Sequence, residues 1–210
     1  MEKDGKGRNI RMKILTLGDS KVGKSSFIIK YTGQVFDESM LTTIGLDIQT
    51  SFIMVKDKKY RIDFYDTTGQ EKYRSIANSY IKNADGVILM YDISDKSSYE
   101  HIPGWMESII DNKGSDFPII LLGNKSDLED RRQVDLEEGK KLADKYKLKF
   151  METSNKNGTT IQEAALEIVN LILEKKAREE NEKSDSIQLD KNNHKTIEDE
   201  KRKKLCCLKK

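Results

Sequence analysis

Eight residues, GDSKVGKS from Gly18 to Ser25, constrain this chain more than any other stretch, because they join a short apolar run (Lys13 to Leu17) to an amphipathic one (Lys24 to Tyr31). A glycine-bounded loop at such a junction sets the uncapped amides of a helix against the end of a strand. Gly18 and Gly23 let the backbone close around an anion, the helix N-terminus supplies donors and positive potential, and Lys24 adds a full charge. The loop reads as a cradle for phosphate oxygens, formed by Asp19, Ser20, Lys21, Val22, Gly23, Lys24, Ser25 and Ser26, with the Ser25 hydroxyl placed for Mg2+. The competing reading is an ordinary glycine turn ahead of a helix.

Beyond the loop, short apolar runs alternate with longer amphipathic ones, the pattern of strands and crossover helices in a parallel sheet. Strands are expected over Lys13–Leu17, Asp47–Val55, Tyr60–Tyr65, Gly86–Tyr91, Ile119–Leu122 and Lys149–Glu152. Helices are expected over Lys24–Tyr31, more loosely over Gln70–Ile81, and over Ser97–Asn112, Leu136–Tyr146 and Thr160–Lys176. Only the segment Lys56 to Lys59 separates the second and third strands, enough for a hairpin and too short for a crossover helix. The expectation is one α/β domain: a six-stranded, mostly parallel sheet with one antiparallel edge strand and helices on both faces.

Three further motifs follow in order. Asp66 opens DTTGQ where the third strand ends, and a carboxylate there can hold magnesium through a water. Gly69 frees the backbone to approach a terminal phosphate, and Gln70 can orient an attacking water. Alone, D-x-x-G is a common turn; its position after the phosphate loop gives it weight. Next, NKSD (Asn124 to Asp127) follows the apolar run PIILLG. An ionised Asp127 accepts two hydrogen bonds from guanine N1 and the exocyclic amine, a donor pair that adenine lacks. The last element, Thr153 to Lys156, offers backbone donors to the guanine carbonyl.

The succession GDSKVGKS, TTIG, DTTGQ, NKSD and TSNK resembles the Ras superfamily of small GTPases, P-loop NTPases built on a single G domain, over roughly residues 10–176. IGLDI (Ile44 to Ile48), YIKNA (Tyr80 to Ala84), LMYDIS (Leu89 to Ser94) and the double-cysteine ending are similar to Rab motifs, and RRQVDLEEGKKLADKYKLKFMETS is similar to secretory-pathway Rabs. The resemblance implies that Thr43 binds magnesium and senses the γ-phosphate, that Phe36 packs against guanine, and that Gln70 assists hydrolysis. Asn124, Lys125 and Asp127 would hold the base, with Ser154, Asn155 and Lys156 behind them. Ile44 and Gly45 fall in the first of two switch segments, Phe36 to Gly45 and Gln70 to Tyr80, which differ between GTP and GDP forms. Ile48, Tyr65 and Tyr80 match the Rab triad that reads nucleotide state, and are equally ordinary core residue types. Three positions depart from the family pattern: Lys21 stands where a small residue is commoner, and Thr68 and Asn155 each replace an alanine.

Composition bounds the partners and the setting. Among 210 residues, 38 basic and 36 acidic side chains nearly cancel, so bulk charge does not point to nucleic acid. The opening MEKDGKGRNI has no apolar signal segment, and no run approaches the roughly 20 apolar residues of a membrane span. His101 and His194 lie far apart, and the cysteines are adjacent, leaving no zinc-ligand spacing. Residues 1–9 are expected to be a flexible start, and residues 177–210 a disordered tail too charged to offset its ordering entropy. Its ending, KRKKLCCLKK, places a basic cluster beside Cys206 and Cys207. Two lipid chains anchor stably where one does not, and a prenylation box from Cys207 would end poorly in lysine, so Rab-type double geranylgeranylation is the better match.

The expected protein is a monomeric, GTP/GDP-switched regulator of vesicle traffic on cytosol-facing membranes, with a cytosolic pool. Its expected partners are GTP and GDP with Mg2+, exchange and GTPase-activating proteins, escort and GDP-dissociation-inhibitor chaperones, and effectors, without nucleic acid. The alternative is a nucleotide-binding membrane scaffold with weak or absent hydrolysis, kept open by Lys21 and Thr68. Nuclear-transport GTPases should lack the terminal cysteines, and cytoskeletal ones should carry an insert after NKSD.

Overall fold

The structure, a computed structural model, describes residues 10–33, 46–67 and 74–182, the side chains of residues 46 and 74–77 excepted. The chain divides into two compact units, residues 1–172 and 173–210. In the first, strands β1 (Arg11–Leu17), β2 (Leu46–Val55), β3 (Lys58–Thr67), β4 (Gly86–Asp92), β5 (Ile119–Asn124) and β6 (Lys149–Thr153) form one sheet in the order β2-β3-β1-β4-β5-β6. The helices are α1 (Lys24–Thr32), α2 (Arg74–Asn83), α3 (Lys96–Glu100), α4 (Ile102–Lys113) and α5 (Leu136–Tyr146), followed by helical residues 161–172.

Every strand pair is parallel except β2 with β3, so the expected antiparallel edge strand is present. Lys56 and Asp57 close that hairpin at φ 47° and 63°. Two left-handed residues in succession match the strand twist, and the loop shrinks to these two because pairing continues to Val55 opposite Lys58.

Register shows how the sheet is covered. Ile14 lies level with Phe64 on one side and Gly86 on the other, defining one face. Phe64 there meets Tyr31 of α1 edge-on at 5.2 Å, and a side chain at Gly86 would strike Ile168 and Ile172. Leu15, level with Tyr65 and Val87, defines the other face, which packs with Ile81 of α2, Trp105 and Ile109 of α4, and Ala143 of α5. With both faces covered, all seven residues of β4 are buried and its sequence is continuously apolar up to Asp92.

The helix expected over Ser97–Asn112 is two helices, α3 and α4, meeting at His101. Pro103 explains the break: it has no N–H to give an upstream carbonyl, yet it is tolerated in the first turn of a new helix. Asp95 caps α3 by accepting from the Ser97 amide at 3.1 Å. α5 has the expected bounds, fixed by a capping box between Asp135 and Glu138.

In the second unit, residues 173–182 are helical, so helical structure outlasts the expected stop at Lys176. The stretch EKKAREENEK (174–183) has no glycine or proline and is rich in strong helix formers, which win over its polarity.

Candidate nucleotide-binding site

β1 sits between β3 and β4, and the chain crosses to the other side of β1 after β3. Ligands of open α/β sheets bind beyond the carboxyl ends of strands at such a reversal. The residues collected there are 18–23 after β1, Asp66 and Thr67 closing β3, Asp92 closing β4, Asn124 closing β5, and Thr153 to Asn155 at the end of β6.

The loop after β1 is forced into its path by two glycines. At φ 132°, Gly18 turns so close over β4 that a Cβ would overlap the Met90 carbonyl oxygen. Gly23, at φ 102°, is the N-cap of α1 and provides no side-chain cap, so the first amides of the helix have no such partner. Lys21 also takes a left-handed backbone, φ 65°, at a cost of about 1 kcal/mol for a residue with a Cβ. This is the physical content of its departure from the family pattern, in which a smaller residue is commoner.

Lys24 folds back over the loop, its Nζ donating to the carbonyls of Gly18 at 2.9 Å and Asp19 at 2.6 Å. Burial lowers its pKa to about 8, while Asp66 and Asp19 pull it back up. Asp66 is 4% exposed. Thr16 Oγ1 reaches its carboxylate at 3.5 Å, and Thr67 Oγ1 donates to the Thr16 carbonyl at 2.8 Å, pinning the end of β3 to β1. A buried carboxylate and the Ser25 hydroxyl beside a phosphate cradle are the hard oxygen donors that suit Mg2+ sharing its shell with phosphate and water. Among the described residues no group of three or more His, Cys, Asp or Glu side chains has metal-binding geometry.

The base-side motifs are tied to this loop by side chains. Asn124 is fully buried; its Nδ2 donates to the Val22 carbonyl at 2.7 Å, and its Oδ1 accepts from Thr153 Oγ1 at 3.1 Å. Lys125 takes φ 65° and pairs with Asp92 at 2.6 Å. Asp92 is held in turn by the Ser94 amide and hydroxyl at 2.8 and 2.7 Å. Ser154 Oγ donates to Asp127 Oδ1 at 2.6 Å, orienting the carboxylate expected to read guanine. Asn155 Nδ2 donates to the Gly23 carbonyl at 2.8 Å. Lys156 is exposed.

The structure thus brings Asp19 to Ser26, Asp66, Asn124, Lys125, Asp127, Ser154 and Asn155 to one edge of the sheet. Ile48 pairs with Tyr65 across β2 and β3, and Tyr65 and Tyr80 both pack against the core on one face of the sheet. Phe36, Thr43, Ile44, Gly45, Thr68, Gly69, Gln70, Cys206 and Cys207 lie outside the described residues.

Sequence reading missed three participants, Asp92, Trp105 and His101, and the side-chain role of Thr153. Asp92 and Thr153 hold Lys125 and Asn124, and their signal was their place as the last residues of strands. Trp105 and His101 engage the Asp19 carboxylate, through Nε1 at 3.0 Å and Nδ1 at 2.5 Å. Nothing in local spacing announces a contact from α4 to the phosphate loop.

A strand, glycine loop and helix with a buried lysine, joined by a buried asparagine to a second loop bearing an oriented carboxylate, fit the small GTPase class. Residues 13–174 match the Ras family, and the chain belongs to it. It is 38% identical to Ras-related protein Rab-8B of Pongo abelii over 170 residues, 81% of this chain and 82% of that protein. It is 36% identical to GTP-binding protein ypt2 of Schizosaccharomyces pombe over 197 residues, covering 93% and 96% of the two chains. It is 37% identical to Ras-related protein SEC4 of Candida albicans over 180 residues, 83% and 86%. These relatives place it in the Rab group: a GTP-hydrolysing, GTP/GDP-switched regulator of vesicle traffic rather than an inert scaffold.

Proposed function

We propose that guanine nucleotide binds along the carboxyl edge of the sheet, phosphates on residues 19–26 and base on Asn124, Lys125, Asp127 and the Ser154 to Lys156 loop. The observation that supports this most is the Asn124 bridge, which fastens the base motif to the phosphate loop at 2.7 Å across 102 residues of sequence. A nucleotide carries base and phosphates on one molecule, and this bond holds the two receptors in a set relation to each other.

Magnesium, held by Ser25, Thr43 and through water by Asp66, would neutralise developing phosphate charge. Lys24 would supply a cation to the β- and γ-phosphates, and its low pKa reflects a charge whose burial is only partly compensated within the protein. Gln70 would orient the attacking water. Thr43 and Gly69 would hold the γ-phosphate, so that hydrolysis releases both switch segments. Phe36 would cover the guanine. Ile44, Gly45, Ile48, Tyr65 and Tyr80 would carry the state to effectors; Ile48, 46% exposed, sits on an outer face of β2 with Phe52 and Met54, which suits that role.

Exchange and GTPase-activating proteins would set the rate in each direction, because turnover on such folds is slow unaided. Among the described residues no helix is long and apolar enough to cross a membrane. Attachment to the cytosolic face of vesicle membranes would rest on prenylated Cys206 and Cys207 with the basic tail, and a soluble pool on escort or GDP-dissociation-inhibitor chaperones.

Base recognition is tested by Asp127→Asn. An amide in place of the carboxylate presents a donor where guanine's amine needs an acceptor, and it suits a carbonyl at that ring position instead. The variant should lose GTP affinity and gain affinity for xanthosine triphosphate. GTP binding undiminished by the substitution would overturn the assignment.

A further inference from the structure

Asn155 does something the family pattern does not require. Where alanine is usual, this side chain reaches 132 residues back along the sequence and donates Nδ2 to the Gly23 carbonyl at 2.8 Å. That carbonyl already accepts the first intrahelical bond of α1, from the Phe27 amide at 2.9 Å. The neighbouring Val22 carbonyl is taken by Asn124. Two successive carbonyls of the phosphate loop are therefore held from two different base-side elements, the end of β5 and the loop after β6.

The other end of the carboxamide marks the interaction as one that sets orientation. Asn155 Oδ1 is buried and has no hydrogen-bond partner among the described residues. An unpaired buried acceptor is costly, and the reversed amide would face oxygen against the Gly23 oxygen, so the Gly23 bond decides which way the group lies. Gly23 is part of the same fit: a Cβ there would come within 2.8 Å of Asn155 Nδ2.

We propose that Asn155 is a positioning residue that slows nucleotide release, by tying the loop after β6 to the phosphate loop at Gly23. The inference rests on guanine nucleotide binding along this edge. With Asn124 alone, the Val22 peptide is fixed and the start of α1 can still rock; with Asn155 added, the peptide leading into the helix is fixed as well. A ligand contacting both loops then has to loosen two straps before it leaves.

The test uses the full-length chain loaded with fluorescently labelled GDP at constant Mg2+ and chased with excess GDP, in wild type, Asn155→Ala and Asn155→Asp. Alanine is the residue usual in the family at this position, so that variant is expected to fold. Removing one net hydrogen bond should speed release roughly fivefold in Asn155→Ala. Release should be faster again in Asn155→Asp, whose carboxylate cannot donate and repels the carbonyl. The change should fall on release rather than association, and amide hydrogen exchange should rise at residues 18–25 without spreading through the sheet. Equal release from all three proteins, or Asn155→Asp behaving as wild type, overturns the role of Asn155. A wild type that retains no guanine nucleotide overturns the site assignment beneath it.

Discussion

Asp63 and Asp66 stand three residues apart on one strand, both buried, and do opposite things. Asp63 is fully buried yet saturated: it accepts from Thr50 Oγ1 at 2.7 Å, from Arg61 Nε at 3.0 Å and from Arg11 Nε. It locks β2 and β1 to β3. Asp66, on the opposite face and at the strand's carboxyl end, has the buried cation of Lys24 as its charged neighbour and Thr16 at 3.5 Å. Asp63 spends its lone pairs on joining strands; Asp66 stands where the proposed site would bring a cation and phosphates together. Burial alone does not mark a functional acid, whereas burial at the carboxyl edge of a switch point does.

The comparison can be broken most directly by deleting each acid. Asp66→Ala should reduce Mg2+-dependent GTP hydrolysis about a hundredfold or more, measured in a single turnover, with thermal stability little changed. Asp63→Ala should do the reverse. Losing three hydrogen bonds, with Arg11 and Arg61 left half-exposed and so able to turn to water, should cost about 3 kcal/mol, or roughly 6–12 °C of melting temperature. Hydrolysis per folded molecule should be unaffected. Equal loss of activity in the two variants would remove the distinction.

Acid sharpens it further. Burial by itself would raise the Asp63 pKa, but the bonds from Thr50, Arg61 and Arg11 outweigh it and hold the carboxyl below its ordinary value. The folded state then binds this proton less readily than the unfolded state. The stabilisation is full above about pH 4 and is lost as pH falls through the folded value. Unfolding free energies of wild type and Asp63→Asn in urea should differ by about 1 to 2 kcal/mol at pH 7 and converge below pH 4. A gap independent of pH would show that packing, not charge, carries the effect.

The smallest effect concerns Asp19, whose carboxylate belongs to the phosphate loop and is held from α4. Trp105→Phe keeps the ring in the core and removes the Nε1 bond. A loss of about 1 kcal/mol in stability is expected, read by chemical denaturation. A neutral outcome would mean that His101 alone holds Asp19.

Most of the architecture was legible because periodicity and turn chemistry are local. The alternation of apolar runs gave all six strands within a few residues, and Lys56 to Lys59 announced the hairpin. The misjudged elements also have local causes: Pro103 divides α3 from α4, and the strong helix formers in 174–183 carry helix past Lys176. The candidate site was legible as an ordered series of motifs, since each needs its residue types at fixed spacing. Its supports were not: Thr153 beneath Asn124, Asp92 beneath Lys125 and Trp105 beneath Asp19 each act from another element.

By itself, then, the sequence determined the class of fold and the candidate motifs for phosphate and guanine, because strand, loop and helix with their glycines and charges are set by neighbours in the chain. Only the tertiary structure decided which buried acid faces the site, and how base-side and phosphate-side loops are coupled. Those depend on contacts such as Asn124 to Val22 and Asn155 to Gly23, spanning 102 and 132 residues. Such contacts exist only once parallel strands have brought their carboxyl ends to a common edge.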